Sequence, residues 1–297
     1  MTYADIILEL INEDDRYMIM TSENRMAFRA LPPLIPNNFI DTGITEQTMI
    51  GMAAGLALRG RVPIVHALAT FLTMRAFEFI RTDIGIASLP VKLVGAVPGF
   101  LSDGNGPTHQ AIEDVSIMRG IPPMNVFCPA DEDDMLKGLK TIITHQSPFY
   151  MRYNPTKALV EHTPLEIGKA EIFDNGTDVA ILVYGFLFGE AFKAKQLLEE
   201  HGKSVRLINI RTPKPIDEEA VLKAAEECDL VVTLEDHFIT GGLYSIVSEL
   251  LVSKRVSANV FPIALNTWFK PALLNEVLEY EGFTAEKILN KILAVSN

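Results

Sequence analysis

The chain has 297 residues, 48% of them hydrophobic and 22% charged, which supplies a core and excludes disordered or collagen-like classes. Its 26 Lys and Arg face 38 Asp and Glu, a net charge of −12 with no basic tract to answer it, so nucleic acid is excluded as a partner. Cys128 and Cys228 lie too far apart for a CxxC site or a disulfide framework and read as core thiols in a reducing compartment.

In chain order, Asp5-Ile-Ile-Leu-Glu-Leu-Ile-Asn predicts an amphipathic helix carrying acids, with no basic n-region of a leader peptide. Strands are predicted at Tyr17–Met20, Phe39–Asp41, Pro63–Ala67, Val91–Ala96 and Asn125–Cys128, with helices at Thr45–Arg59, Met74–Ala87 and Asp131–Thr144. The style repeats with strands at Val179–Tyr184, Val205–Ile210 and Leu230–Leu234, and helices at Phe188–His201, Asp217–Glu227 and Gly242–Leu251. Strands without strict alternation, separated by helices, predict α/β architecture with parallel sheets. The polar, proline-punctuated stretch between Tyr153 and Lys169 is the expected domain boundary, giving residues 1–160 and 161–297, with Ile167–Phe173 as a lone edge strand. Apolar runs stop well short of the ~20 residues of a membrane helix, so a cytoplasmic chain away from membranes is expected.

Four segments can carry chemistry. Phe39-Ile-Asp runs through a glycine turn into a helix whose first turn holds Glu46. An acid there either complements the helix dipole or aims a carboxylate into the cleft at a strand-to-helix corner. Small residues Gly51, Ala54 and Gly55 give that helix a face for close packing. Gly99-Phe-Leu-Ser-Asp-Gly-Asn-Gly-Pro-Thr-His109-Gln110 forces an irregular loop that is either a surface turn or a platform for a proton-transferring histidine. Phe71, near Arg75, either packs in the core or offers a flat face to a heteroaromatic ring. Arg152 at a strand end suits bidentate grip of a phosphate or a structural ion pair. The run Asp131-Glu-Asp-Asp reads as a solvated helix start, and no histidine or cysteine spacing suggests a metal site.

Together, Gly43-Ile-Thr-Glu46-Gln47, Ala53-Ala-Gly-Leu-Ala, Ala69-Thr-Phe71-Leu, Gly106-Pro-Thr-His109-Gln110 and Met151-Arg152-Tyr resemble, in order and spacing, the pyrimidine-binding domain of transketolase, shared by 1-deoxyxylulose-5-phosphate synthase. Thr233-Leu-Glu-Asp-His237 before Gly241-Gly242 resembles the family's C-terminal domain. The resemblance covers nearly the whole chain but only the C-terminal section of a full-length transketolase. It implies two three-layer α/β domains and one subunit of a split enzyme that transfers two-carbon ketol units between small sugars or sugar phosphates. The implied cofactor is thiamine diphosphate, with Mg²⁺ or Ca²⁺ held mainly by a separate diphosphate-binding subunit. A homodimer within a heterotetramer is the implied assembly.

By the same resemblance, Glu46 bonds the aminopyrimidine, Phe71 stacks on it, and Ile44 and Arg75 complete the cofactor contacts. His109 faces substrate and shuttles protons, and Arg152 grips a sugar phosphate. Asn105 stands where the family usually has Asp, and Val97 and Pro98 replace a second histidine and the synthase's arginine. The β subunit of a 2-oxo acid dehydrogenase and a non-catalytic structural partner are the competing readings; Pro-Thr-His109-Gln favours the transketolase.

Overall fold

A computed structural model describes residues 1–296. Helix α1 (Tyr3–Glu13) begins at a capping box in which Thr2 Oγ1 accepts the Asp5 N–H and Asp5 accepts the Thr2 N–H. Its stripe of Tyr3, Ile6, Ile7, Leu10 and Ile11 is buried, as helical periodicity requires. Strands β1 (Tyr17–Thr21) and β2 (Phe39–Asp41) precede α2 (Glu46–Leu58) and β3 (Val62–Leu68). The predicted helix Met74–Ala87 is instead a π-turn (Phe71–Arg75), one short turn α3 (Phe77–Phe79) and a second π-turn (Ile80–Gly85). Thr73 donates its hydroxyl to the Ala69 carbonyl at 2.7 Å, a back-bond that competes with regular helical spacing where the widened turn begins.

Strand β4 (Lys92–Ala96), α4 (Asp114–Arg119), β5 (Asn125–Phe127), α5 (Glu132–Thr144) and β6 (Phe149–Arg152) complete a six-stranded sheet of order β2-β1-β3-β4-β6-β5, parallel throughout. The second sheet has order β11-β10-β8-β9-β7, from β7 (Glu171–Phe173), β8 (Val179–Val183), β9 (Val205–Asn209), β10 (Leu230–Phe238) and β11 (Val260–Leu265). Only its edge strand β7 is antiparallel. Helices α6 (Phe188–Glu200), α7 (Glu218–Glu227), α8 (Leu243–Lys254), α9 (Leu274–Glu281) and α10 (Ala285–Val295) cover it. No helix among the described residues is long and apolar enough to cross a membrane.

One apolar core runs from Met20, Val65 and Leu93 of the first sheet to Ala180, Leu182 and Ile208 of the second. Two buried ionic clusters cross the same seam. In the first, Arg152 lies between Asp114 and Asp236. In the second, Arg211 bonds Asp134 at 2.6 Å, and His162 lies between Asp131 (3.0 Å) and Glu171 (2.5 Å). The acid run does start α5, with Glu132 exposed as expected, but Asp131 and Asp134 are buried, because cations and donors from the second domain cover them.

The His162 pair makes stability depend on pH. Burial works to lower the imidazole pKa, but the hydrogen bonds to Asp131 and Glu171 outweigh it and raise the value to about 10. Burial likewise works to raise the Glu171 pKa, and His162 overrides it, holding the carboxyl at about 2. A histidine whose pKa rises on folding stabilises fully below its ordinary 6.5 and loses that contribution as pH climbs through 10. A glutamate depressed on folding contributes fully above its ordinary 4.5 and loses this as pH falls through 2. The stability difference between wild type and His162→Gln, measured by urea unfolding, should thus be largest between pH 4.5 and 6.5 and shrink on either side.

Candidate active site

In the first sheet β1 leads to β2 on one side, and the chain then returns to place β3 on the other. That reversal opens a crevice at the carboxyl ends of β1 and β3, where open α/β sheets bind ligands. An open pocket of about 200 Å³ occupies it, lined by Ser22, Glu23, Asn24, Ile44, Glu46, Leu68 and Phe71.

The corner that presents Glu46 is built locally. Gly43 adopts φ +67°, a conformation glycine takes at little cost, and its N–H meets Asp41 Oδ1 at 2.9 Å. Ser22 donates its hydroxyl to the Gly43 carbonyl (2.7 Å) and accepts the Thr45 N–H (3.0 Å), which ties the start of α2 to the end of β1. Glu46 then opens α2 with its side chain only 3% exposed. Among the described residues its side chain pairs with Arg75 alone, whose Nη1 donates to Oε2 at 2.9 Å from a side chain that is 41% exposed. Ile44 stands at the mouth, 64% exposed.

Phe71 begins the first π-turn, so Arg75 lies on the same side as its ring, with Cζ 4.2 Å from the ring centroid. The His109 imidazole meets the Phe71 ring edge to face at 5.0 Å. Thr70 donates its hydroxyl to the His109 carbonyl at 2.6 Å, and Thr108 Oγ1 lies 2.9 Å from Nδ1. With Nδ1 engaged, Nε2 is the nitrogen available for exchanging a proton. Asn105 is exposed on the same loop, its N–H bonded to the Ser102 carbonyl at 3.3 Å.

Ile44, Glu46, Phe71, Arg75 and His109 are therefore brought together, and Asn105 shares the His109 loop. Arg152 is not among them. Its guanidinium is 2% exposed and each of its three nitrogens is engaged: Nε and Nη2 donate to Asp114 (2.9 and 2.6 Å), and Nη1 to Asp236 (2.5 Å). The expectation of a phosphate grip is corrected here, because the carboxylates already hold the donors that would bind phosphate. Arg25 is likewise paired, with Asp41 at 2.5 Å.

Sequence reasoning did not single out Ser22, Glu23, Asn24 or Leu68 as pocket residues. The available signal was a polar stretch directly after a mostly apolar parallel strand. Among the described residues no group of three or more His, Cys, Asp or Glu side chains is placed to hold a metal ion. The pocket instead offers a dry carboxylate, an aromatic face and apolar walls. That set suits a flat, hydrogen-bonding heteroaromatic ring and offers little to a diphosphate.

Family models match twice: "transketolase, pyrimidine binding domain" over residues 10–158 and "transketolase, C-terminal domain" over residues 168–288. The 6-deoxy-6-sulfo-D-fructose transketolase subunit SqwH of a Clostridium species is 37% identical over 97% of this chain and 91% of its own length. The 1-deoxy-D-xylulose-5-phosphate synthase of Dictyoglomus thermophilum is 36% identical over 88% of this chain, which spans only 43% of that relative. A solved split-gene transketolase, an inactive β4 tetramer, superposes with a TM-score of 0.89 at 30% identity, covering 99% of this chain and 96% of that one.

Removing Arg152 tests its structural role. Arg152→Met should destabilise the fold by about 3–5 kcal/mol in urea unfolding, because it leaves Asp114 and Asp236 buried and unneutralised. A near-neutral result would place the guanidinium outside the buried cluster.

Proposed function

The chain belongs to the transketolase family, and we propose that it is the C-terminal-section subunit of a two-chain transketolase, acting on small sugars or sugar phosphates. It would carry the pyrimidine side of a thiamine diphosphate site, which a separate diphosphate-binding subunit completes together with Mg²⁺ or Ca²⁺. Relatives named as a transketolase subunit and as a split-gene transketolase match this chain over 91% and 96% of their own lengths, which supports the two-chain reading. The observation that carries the assignment is the buried Glu46 carboxylate in one pocket with Phe71, beside His109.

Bound thiamine diphosphate supplies the chemistry that breaks and remakes the carbon–carbon bond. Glu46 is suited to hold a proton at a pyrimidine ring nitrogen, since a carboxylate kept from water makes a short, strong charge-assisted bond. Arg75 neutralises that carboxylate and, being partly solvated, can leave it for water when the ring bonds Glu46. Phe71 offers the ring a flat face, and Ile44 and Leu68 keep water from the carboxylate. His109 is placed to pass protons at the oxygens of the donor sugar, with Asn105 contributing a neutral polar contact where the family has a charged one. The acidic end of a phosphorylated or sulfonated sugar must find its cation elsewhere than Arg152.

Self-association is part of the proposal. Of the expected small-residue face Ala54 is instead buried in the core, while Gly51, Met52, Gly55 and Leu58 form an exposed face of α2, with nothing within 4 Å of where a Gly55 Cβ would stand. Such a face allows a second helix to approach closely and fits a homodimer inside a heterotetramer.

The chain alone, given thiamine diphosphate and Mg²⁺, should show no ketol transfer, and adding the diphosphate-binding subunit should restore it. Transfer by the purified chain without any partner would falsify the two-chain reading.

Glu46→Gln keeps the size of the side chain and an acceptor, so circular dichroism and the melting temperature should change little. Hydrogen–deuterium exchange at C2 of thiamine diphosphate in the reconstituted complex should fall ~10²- to 10⁴-fold, together with turnover. Wild-type exchange in this variant would leave Glu46 as no more than a helix-start acid.

A further inference from the structure

The loop that carries His109 is built by the first domain but held from the second. Its backbone takes positive φ at Val97 (+49°) and Gly99 (+55°), and a Cβ at Gly99 would collide with the Asp236 carboxylate. Asp236 Oδ2 accepts the Phe100 N–H at 3.3 Å while Oδ1 takes Arg152. The Phe238 N–H reaches the Ile112 carbonyl (3.0 Å), and the Ala272 N–H reaches that of Asp103 (3.3 Å).

Gln110, adjacent to His109, makes the most informative of these links. Its side chain is wholly buried, and Nε2 donates to the Phe269 backbone carbonyl at 2.9 Å. Phe269 is itself fixed, packed edge to face on Phe100 at 5.2 Å, which in turn packs on Phe283 at 4.9 Å. The other side of the Gln110 amide, Oε1, is buried with no partner among the described residues. An amide half satisfied in a dry place costs more than an apolar side chain of the same size, so bulk alone does not account for it. What the amide accomplishes is positional. The first domain holds the His109 carbonyl through Thr70, and the second holds the next side chain through Phe269, so the peptide between them is gripped from both sides.

We propose that Gln110 is a positioning residue for His109, through which the second domain sets where the imidazole stands against Phe71. As a statement about the reaction it rests on the transketolase reading above; as geometry it does not.

The test uses the full chain with ¹³C-labelled histidine, His109 being assigned by its loss in His109→Ala. The Phe71 ring lies 5.0 Å away, so its ring current makes the His109 resonance sensitive to small displacements. Gln110→Met should shift or broaden that resonance and leave the other five histidines unmoved. If Gln110→Met does not fold, Gln110→Asn, which keeps the amide but falls a methylene short of Phe269, carries the same measurement.

In the reconstituted complex the donor probe is hydroxypyruvate, a small 2-oxo acid that leaves a two-carbon ketol unit on losing CO₂. Here kcat should fall ~10- to 100-fold with KM little changed. In a His109→Ala background the same substitution should cost nothing further. An unmoved His109 resonance, or losses that simply multiply, overturns the proposal. A shifted resonance with His109→Ala fully active would uphold the positioning and instead sink the role given to His109 in catalysis.

Discussion

One buried guanidinium holds the two halves of this protein in register. Arg152 leaves the end of the first sheet and is shared between Asp114 of its own domain and Asp236 of the other. A charge removed from water costs several kcal/mol unless it is paired, so the second half cannot keep Asp236 buried without the first half's Arg152. Two carboxylates meet one cation, and the surplus negative charge is met by the Tyr150 hydroxyl on Asp114 (2.5 Å) and the Phe100 N–H on Asp236. The cluster is complete only when the domains are assembled, which makes their relative placement specific where an apolar seam alone would allow sliding.

The same cluster accounts for the different fates of two similar crevices. Each sheet reverses its strand order, at β1 in the first and at β8 in the second, and each reversal opens a cleft at the carboxyl ends of its strands. In the second sheet that position is taken up by protein: the Arg152 guanidinium lies 5.4 Å from the Tyr184 ring, just beyond β8. In the first sheet the cleft stays open, lined by Glu46 and Phe71, with His109 at its side. The second domain thus contributes to the site indirectly, as the platform behind the His109 loop.

Membership of the transketolase family places this chain among proteins in which the same two domains occur either as a subunit or as part of a longer polypeptide. The pocket holds a carboxylate, an aromatic ring and apolar walls, while Arg75 and Arg25 already answer Glu46 and Asp41.

The elements legible in the sequence are those whose cause is local. The stripe on α1, the apolar runs of β1, β4, β8 and β9, and the short polar turns between them rest on periodicity and turn chemistry that lie within a dozen residues. The order Glu46, Phe71, His109 was legible too, as spaced motifs. The widened turns around Phe71 were not, because a hydroxyl back-bond and tertiary packing override helix propensity there. For Arg152 a structural ion pair was one of the open readings, but its partners were not legible, and neither was the burial of Asp131 and Asp134 within a helix-start acid run. Their partners lie tens of residues away: Asp236 is 84 positions from Arg152, and Arg211 is 77 from Asp134. By itself, then, the sequence determined the α/β class, the order of the elements and the motifs that carry Glu46, Phe71 and His109. Which charges became buried partners, and which side chains stayed free to meet a ligand, was decided only by the tertiary structure, because the energy of an ion depends on what surrounds it in space rather than along the chain.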